Sequence, residues 1–383
     1  MPPVLKLMMK NCLRNPLRTA LTILGISVAI VAFTFLRTVL AAYYAGAEAS
    51  AATRLVTRHK VSLFNVLPLS QKDRIAAVPG VTQVSYGMWY GGYYKDPGNF
   101  FAQMAIDPGY LDLYPEFILA PEAREQFGSE MQAAVIGRKL ANRFGWKVGD
   151  RVPLTGTFYP NVEVVIRGIY SGRERNTDET AMFFRWSMLD ETRNREGQVG
   201  WYLLGIDSPG SGSRVMDEVD SLFQNSTAPT HTETERDFNL SFVSMMGGVI
   251  TVIRVASWIV IGIILLIMAN IMAMAVRERT TEYGVLKTLG FRNGHLAGIV
   301  AGEALLLAFL GGVAGCLLGF AAIRAAGSVI EATMGQIFPV FELTLQTIAM
   351  AVGLAIAAGA LAAIAPARRI LSSSVAQSLR PID

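Results

Sequence analysis

Few side chains in this 383-residue chain have the type and spacing that bond-making chemistry requires. Three histidines and two cysteines lie far apart, so no ligand set with zinc or haem spacing forms, and metal ligation is not expected. The chain lacks the GxxxxGK(S/T) phosphate loop, the HExxH pair and the GxSxG elbow. No catalytic residue is therefore nominated, and the chain is not expected to hydrolyse ATP by itself. The densest charge beside apolar sequence is Val276-Arg-Glu-Arg-Thr-Thr-Glu-Tyr-Gly-Val-Leu-Lys-Thr-Leu-Gly-Phe291. Val285, Leu286 and Leu289 share one helical face there, Gly290 suits a C-terminal cap, and Gly284 predicts a break or a close backbone contact. Such a segment offers recognition rather than catalysis. It fits a short amphipathic helix that takes force from a partner, and equally a plain basic loop that fixes membrane orientation.

Composition places these residues at a bilayer. The chain is 52% hydrophobic and 17% charged, with mean hydropathy +0.37, whereas soluble domains are nearer one quarter charged. Thr19–Leu36, Val255–Val276, Ala304–Ile323 and Leu343–Ala367 are uncharged runs of spanning length, the last with Pro366 as a stop signal. The first also resembles a secretory signal, but its length and the three later runs favour a retained anchor. Residues 43–245 hold 20 Lys and Arg against 24 Asp and Glu, while the remainder holds 14 against 6. The excess basic charge flanks the apolar runs, which points to membrane orientation and away from a nucleic-acid partner. Lys6, Lys10, Arg14 and Arg18 precede span one. Arg277, Arg279, Lys287 and Arg292 join spans two and three, and Arg368, Arg369 and Arg380 follow span four. Ala325–Glu342 has no Lys or Arg. Both termini are thus expected in the cytoplasm, with the large insert outside.

The resulting fold class is an α-helical membrane protein of four transmembrane helices, with a large α/β (α+β) domain inserted between helices one and two. The expected order is a basic amphipathic segment (1–18) lying along the cytoplasmic leaflet, span one (19–44), the outer domain (45–245) and span two with a stalk (246–276). A cytoplasmic loop (277–295), span three (296–324), an outer loop (325–343), span four (344–366) and a cytoplasmic tail (367–383) follow. Gly311, Gly315 and Gly319 form a smooth stripe for tight helix packing, within or between subunits. Arg254 and Glu303 are expected to snorkel to the interface, and Asn270 is a third polar exception.

In the outer domain, strands are predicted at Val61–Phe64, Val81–Tyr86, Arg151–Leu154, Val162–Tyr170, Trp201–Ile206 and near Pro229–Glu235. A strand runs into a helix over Val135–Gly145, and a helix covers Ser213–Gln224, where Asp217, Glu218 and Asp220 read as a solvated face. Seven of the 16 residues from Tyr86 to Phe101 are aromatic. Trp89, Tyr90, Tyr93 and Tyr94 are candidates for a ligand or partner surface, although alternation favours packing into the core.

Five segments in order resemble one family. RERTTEYGVLKTLGF (277–291) is similar to the loop of FtsX-like ABC transporter permeases, and the glycine stripe and PARRILSSSVAQSLRP (366–381) resemble its later spans and tail. NPLRTALTILGISVAI (15–30) is similar to its opening, and AAVIGRKLANRFGWKVGDRVPL (133–154) to its extracytoplasmic domain. The resemblance implies the MacB–LolCE–FtsX group, the type VII ABC transporters of the bacterial inner membrane. These act as dimers with ATPase subunits and a MacB-like periplasmic core domain. It implies a separate cytoplasmic ABC ATPase dimer that binds ATP and Mg, since this chain itself carries no cofactor site. A second permease copy or paralogue is implied, with either a periplasmic adaptor and outer-membrane duct or a lipoprotein carrier. By that resemblance Arg277, Glu278, Arg279, Glu282, Tyr283 and Lys287 belong to the ATPase-coupling helix, which Gly284 and Gly290 shape. Mechanotransmission for efflux of an amphiphile or extraction of a lipoprotein is expected. The alternative is an FtsX-like signalling complex that activates a periplasmic hydrolase or sensor.

Overall fold

A computed structural model of the chain describes residues 14–48, 50–174, 177–245, 247–334 and 341–372. They form two compact units. One comprises Met1–Ala41, Gly248–Gly327 and Phe341–Asp383, and the other Ala42–Gly247 and Ser328–Val340. Lys6, Lys10 and Arg380 lie outside the described residues, as do parts of the outer loop and tail.

The first unit holds four helices long and apolar enough to cross a membrane. They are span one (Pro16–Glu48), span two (Gly247–Glu278), span three (Asn293–Met334) and span four (Leu345–Ser372). Pro16 opens span one at the first helical position, where its missing N–H costs nothing. Pro366 does not stop span four, contrary to its reading as a terminator. The carbonyls of its last turn find donors elsewhere: Lys287 Nζ donates to the Ile370 carbonyl at 2.7 Å and Asn293 Nδ2 to that of Leu371 at 3.4 Å.

The glycine stripe packs within the subunit. A Cβ on Gly311 would meet Ile26 at 2.7 Å, one on Gly315 would meet Ile30 at 2.6 Å, and one on Gly319 the Thr34 hydroxyl at 2.7 Å. Span three therefore lies backbone-close along span one, and Ser27 Oγ donates across to the Gly311 carbonyl at 3.2 Å. On its other side, Gly312 faces Ala355 and Gly359 faces Ala308, so spans three and four meet through small residues as well.

The second unit is built on a ten-stranded mixed sheet. Its strands, with a separate two-stranded pair, are β1 (Arg54–His59), β2 (Leu67–Pro68), β3 (Val81–Trp89), β4 (Gln103–Ile106), β5 (Phe117–Ile118) and β6 (Ala133–Gly137). They continue with β7 (Arg151–Leu154), β8 (Val162–Gly172), β9 (Met182–Arg185), β10 (Gln198–Val199), β11 (Trp201–Ile206) and β12 (Thr230–Thr234). The main order is β12-β1-β11-β3-β4-β9-β6-β8-β5, β7 pairs with β8, and β2 with β10. Only β4–β9 and β6–β8 are parallel. Alternation sorts the strands onto two cores: Tyr202, Leu204, Met182, Phe184, Ala134 and Ile136 enter one, while Leu203, Phe183 and Val135 enter the other. The first core is closed by Val215, Val219 and Phe223 of the helix Gly212–Phe223.

Two local expectations are corrected. The first strand is Arg54–His59 rather than Val61–Phe64, because His59 Nδ1 accepts the Val61 N–H at 3.1 Å and turns the chain out of the sheet. Asp220 is not a solvated acid: it accepts from Thr230 Oγ1 at 3.0 Å, and from Thr232 N and Oγ1 at 3.0 and 2.8 Å, clamping its helix to β12.

The first and last strands of the insert are neighbours, and a buried ionic cluster fixes them. Arg54 donates from Nε to Glu235 at 2.7 Å, from Nη2 to Glu116 at 2.7 Å and from Nη1 to the Leu113 carbonyl at 2.9 Å. Tyr114 donates to the other Glu235 oxygen at 2.7 Å, and its ring lies 4.2 Å from the guanidinium carbon. Burial, with Tyr110 and Glu235 alongside, holds the Tyr114 phenol well above its ordinary value, so it stays a donor. Breaking a buried pair strands its other charge. Glu235→Ala should accordingly cost about 3 kcal/mol, seen as a lower unfolding temperature of the detergent-solubilised chain. Gly315→Leu should cost about 3 kcal/mol through overpacking against Ile30, and the same measurement checks it.

Candidate coupling site

The connection between spans two and three is a second helix set at an angle by one residue. Span two ends at Glu278, and Arg279 leaves helical geometry at φ −106° and ψ 11° before the helix Thr280–Thr288 begins. That helix runs unbroken through Gly284, which is buried within it, so the predicted break falls at Arg279 instead. It closes as expected at Gly290, whose φ of 89° suits glycine, with Phe291 N donating to the Leu286 carbonyl at 3.1 Å.

Three contacts hold the helix. Tyr283 packs with Val276, Leu296, Val300 and Ile370 in a small apolar cluster, with Leu286 against it. Arg279 Nη1 donates to Glu303 at 2.9 Å with both side chains buried. Lys287 reaches the last turn of span four. Glu303 thus does not snorkel; its carboxylate turns inward because Arg279 supplies a partner there.

This placement sorts the nominated coupling residues. Arg279, Tyr283 and Gly284 face inward, Lys287 is committed to a carbonyl, and Gly290 caps the helix. Arg277, Glu278 and Glu282 are exposed, yet Glu278 pairs with Arg18 and Glu282 with Arg14 at 2.5 Å. Arg14 and Arg18 of the amino-terminal basic stripe are the partners in these pairs. Exposed pairs of this kind contribute little to stability and exchange readily for other partners.

The outward face is apolar. Val285 is 46% exposed, Leu289 70% and Phe291 47%. Sequence grouped Val285, Leu286 and Leu289 on one face, but Leu286 sides with Tyr283, three residues earlier, leaving the other two outside. The helix is apolar on two sides, and the Tyr283–Leu286 spacing was the signal that one of them is already taken.

The aromatic stretch divides likewise. Tyr90 is completely buried and cannot form a surface; burial pushes its phenol up to about 12, and its hydroxyl donates to the Pro160 carbonyl at 2.8 Å. Tyr94 packs edge-on against Phe144 and Trp146, and Tyr93 pairs through its backbone with Thr155. Of the four candidates only Trp89 is substantially exposed, beside Phe100; Phe158, absent from the sequence-derived set, is 81% exposed near Gly91.

The buried Arg279–Glu303 pair makes a testable claim. Glu303→Leu alone should destabilise the detergent-solubilised chain by about 3 kcal/mol, while Arg279→Met combined with Glu303→Leu should recover most of the loss. A double variant as unstable as the sum of the single ones would refute an energetic link between the two.

Comparison with known proteins agrees with this architecture. The MacB-like periplasmic core domain family matches residues 19–222, more than half of the chain, and the FtsX-like permease C-terminal family matches residues 254–375. The chain is 25% identical over 346 residues to an uncharacterized ABC transporter permease of Methanocaldococcus jannaschii, covering 81% of each. It is 30% identical over 162 residues to the macrolide export ATP-binding/permease protein MacB of Marinobacter nauticus, covering 40% of this chain and 24% of that protein. Among solved structures, the extracellular domain of the noncanonic ABC-type transporter YknZ from Gram-positive bacteria matches with TM-score 0.37 and 16% identity, over 47% of this chain and 98% of that one. The periplasmic region of MacB from Actinobacillus actinomycetemcomitans matches with TM-score 0.38 and 11% identity, over 51% and 94%. A four-span membrane unit, an inserted periplasmic domain and these two family matches together make the chain a member of the FtsX-like permease family of ABC transporters, of the MacB type.

Proposed function

We propose that the chain is the permease of a type VII transporter and couples nucleotide-driven closure of a cytoplasmic ABC ATPase dimer to motion of the periplasmic domain. ATP and Mg are held by the ATPase. The cargo is an amphiphile or lipoprotein taken from the periplasm or outer leaflet, passed to an adaptor and outer-membrane duct or to a lipoprotein carrier. The observation that carries this reading is the helix Thr280–Thr288. It is anchored on one side by the Arg279–Glu303 pair and the Lys287–Ile370 bond, and it presents Val285, Leu289 and Phe291 on the other.

A helix fixed at three points moves as a body, so displacement at its outer face reaches spans two, three and four together. The apolar residues fill a cleft on the ATPase, and Arg277, Glu278 and Glu282 ring them, trading their internal partners for charges on the ATPase. Nucleotide then biases a two-state element, which requires that the ATPase dimer bind the two permease states with different affinity.

Leu289→Asp should leave the permease inserted and folded but reduce co-purification of the ATPase at least tenfold, as expected for an interface anchor of about 2 kcal/mol or more. Glu282→Lys should weaken the same association to a lesser degree. Unchanged recovery of the ATPase with Leu289→Asp would sink the coupling assignment.

A further inference from the structure

We propose that Arg37 of span one binds the phosphate of an outer-leaflet phospholipid, at a site separate from the coupling helix and independent of how that helix works. Arg37 continues the inward face formed by Ile26, Ile30 and Phe33, which follow one another at helical spacing and are all buried. Its Nε is shielded from solvent and has no hydrogen-bond partner. Nη2 donates to the Met350 thioether of span four at 3.5 Å, a weak acceptor. Among the described residues no carboxylate pairs with this guanidinium. The next residue, Thr38, is 1% exposed, and its hydroxyl is unmatched as well. Thr22, Ser27, Thr34 and Ser257, by contrast, each bond to a carbonyl of their own helix.

A buried cation without an anion is costly, and one set in a membrane span marks a place where something binds. Arg254 and Arg324, near the outer ends of spans two and three, show the cheaper arrangement: both are exposed, so neither needs a partner. Depth identifies the ligand. Arg37 directly follows the uncharged run Thr19–Leu36 and lies seven residues, roughly 10 Å, short of Tyr44, where the apolar span ends. Met350 lies five residues, roughly 8 Å, inside the start of span four at Leu345. Both stand at the outer edge of the hydrocarbon, the level of phospholipid phosphates. A guanidinium takes a phosphate bidentately, with geometry that matches its planar fork. Met350, 39% exposed, offers the glycerol and upper acyl carbons an apolar contact beside it. A free anion would have to leave water to reach this depth, whereas a lipid phosphate is held there by its acyl chains.

The test is native mass spectrometry of the full chain, co-expressed with its ATPase and purified in mild detergent. A phospholipid should stay bound to the wild-type chain. Arg37→Met should lower its occupancy at least tenfold, Arg37→Lys should keep part of it as a point charge, and Arg324→Met should keep all of it. After the lipid is stripped, added dioctanoyl phosphatidylglycerol should rebind and raise the unfolding temperature of the wild type but not of Arg37→Met. Digalactosyl diacylglycerol, which lacks the phosphate, should do neither. The stripped Arg37→Met chain should unfold no lower than the stripped wild type, because the side chain gives up only a bond to a thioether. A lower temperature would make Arg37 a packing residue and overturn the proposal, as would retention of lipid by Arg37→Met. Stabilisation by inorganic phosphate equal to that by phosphatidylglycerol would turn the site over to a free anion. A wild type without lipid, from which Arg37→Met removes a co-purifying membrane protein, would give the cation to a protein partner instead.

Discussion

Inserting some 200 residues between two membrane helices imposes one constraint on everything else: the insert must begin and end at the same place. The buried Arg54 cluster enforces it. Arg54 stands at the start of β1 and Glu235 directly after β12, so their 2.7 Å contact joins the two ends of the domain. Placing β1 and β12 side by side, in antiparallel register from Leu55–Thr234 to His59–Thr230, does the same through the backbone. Coulomb attraction alone would not justify burying these charges, since desolvation offsets much of it. The cluster works because every oxygen and nitrogen is used: Glu116, the Leu113 carbonyl, Tyr114 and the Ala51 N–H complete it. A polar network satisfied to this degree specifies one geometry where an apolar contact would admit several.

The membrane unit meets the matching requirement by other means. Between helices in lipid there is little hydrophobic gain to be had, so close packing and polar contacts must hold the bundle. Gly311, Gly315 and Gly319 let Ile26, Ile30 and Thr34 of span one sit almost on the backbone of span three, and alanines bring span four to the other side. Gly25 of span one lies within van der Waals reach of Ile267 of span two, so the two helices that flank the insert are also neighbours. The same logic explains the Arg279–Glu303 pair. Each group would be an isolated charge beside an apolar bundle, and together they form a contact that cannot slide.

Much of this was legible in the sequence because it follows from period and composition. Four uncharged runs, the strand signals of β3, β8 and β11 and the Gly290 cap each obey a local rule that the fold respects. The failures share a cause: they were decided by a partner distant in sequence. Glu303 reads as an interfacial acid until Arg279 is seen 24 residues earlier. Pro366 reads as a stop, yet span four runs on to Ser372, where Lys287 and Asn293 donate to the carbonyls of the last turn. Tyr90 belongs to a run of aromatics that suggests a surface, and only the strand register decides that it points inward while Trp89 points out. The charged residues of 277–290 looked like contacts by type; two of the five, Arg279 and Lys287, hold the helix in place.

That last reversal bears on how the site would work. A coupling element built on free charges would bind a partner through side chains that flex, and part of any displacement would be lost in their rotamers. Here the charges with buried partners fasten the helix, and the surface left over is made of Val285, Leu289 and Phe291, side chains with few torsions. Division of labour of this kind suits a lever: polar groups where position must be fixed, apolar groups where another protein must grip. On the proposed reading, the ATPase would act on the apolar face. The Arg279 bend would convert its movement into rotation of span two, and the Lys287–Ile370 and Arg279–Glu303 contacts would carry spans three and four along. The exposed Arg14–Glu282 and Arg18–Glu278 pairs extend the same connection to span one. Being solvent-screened, they are the contacts of the set that can open and close without a large change in energy.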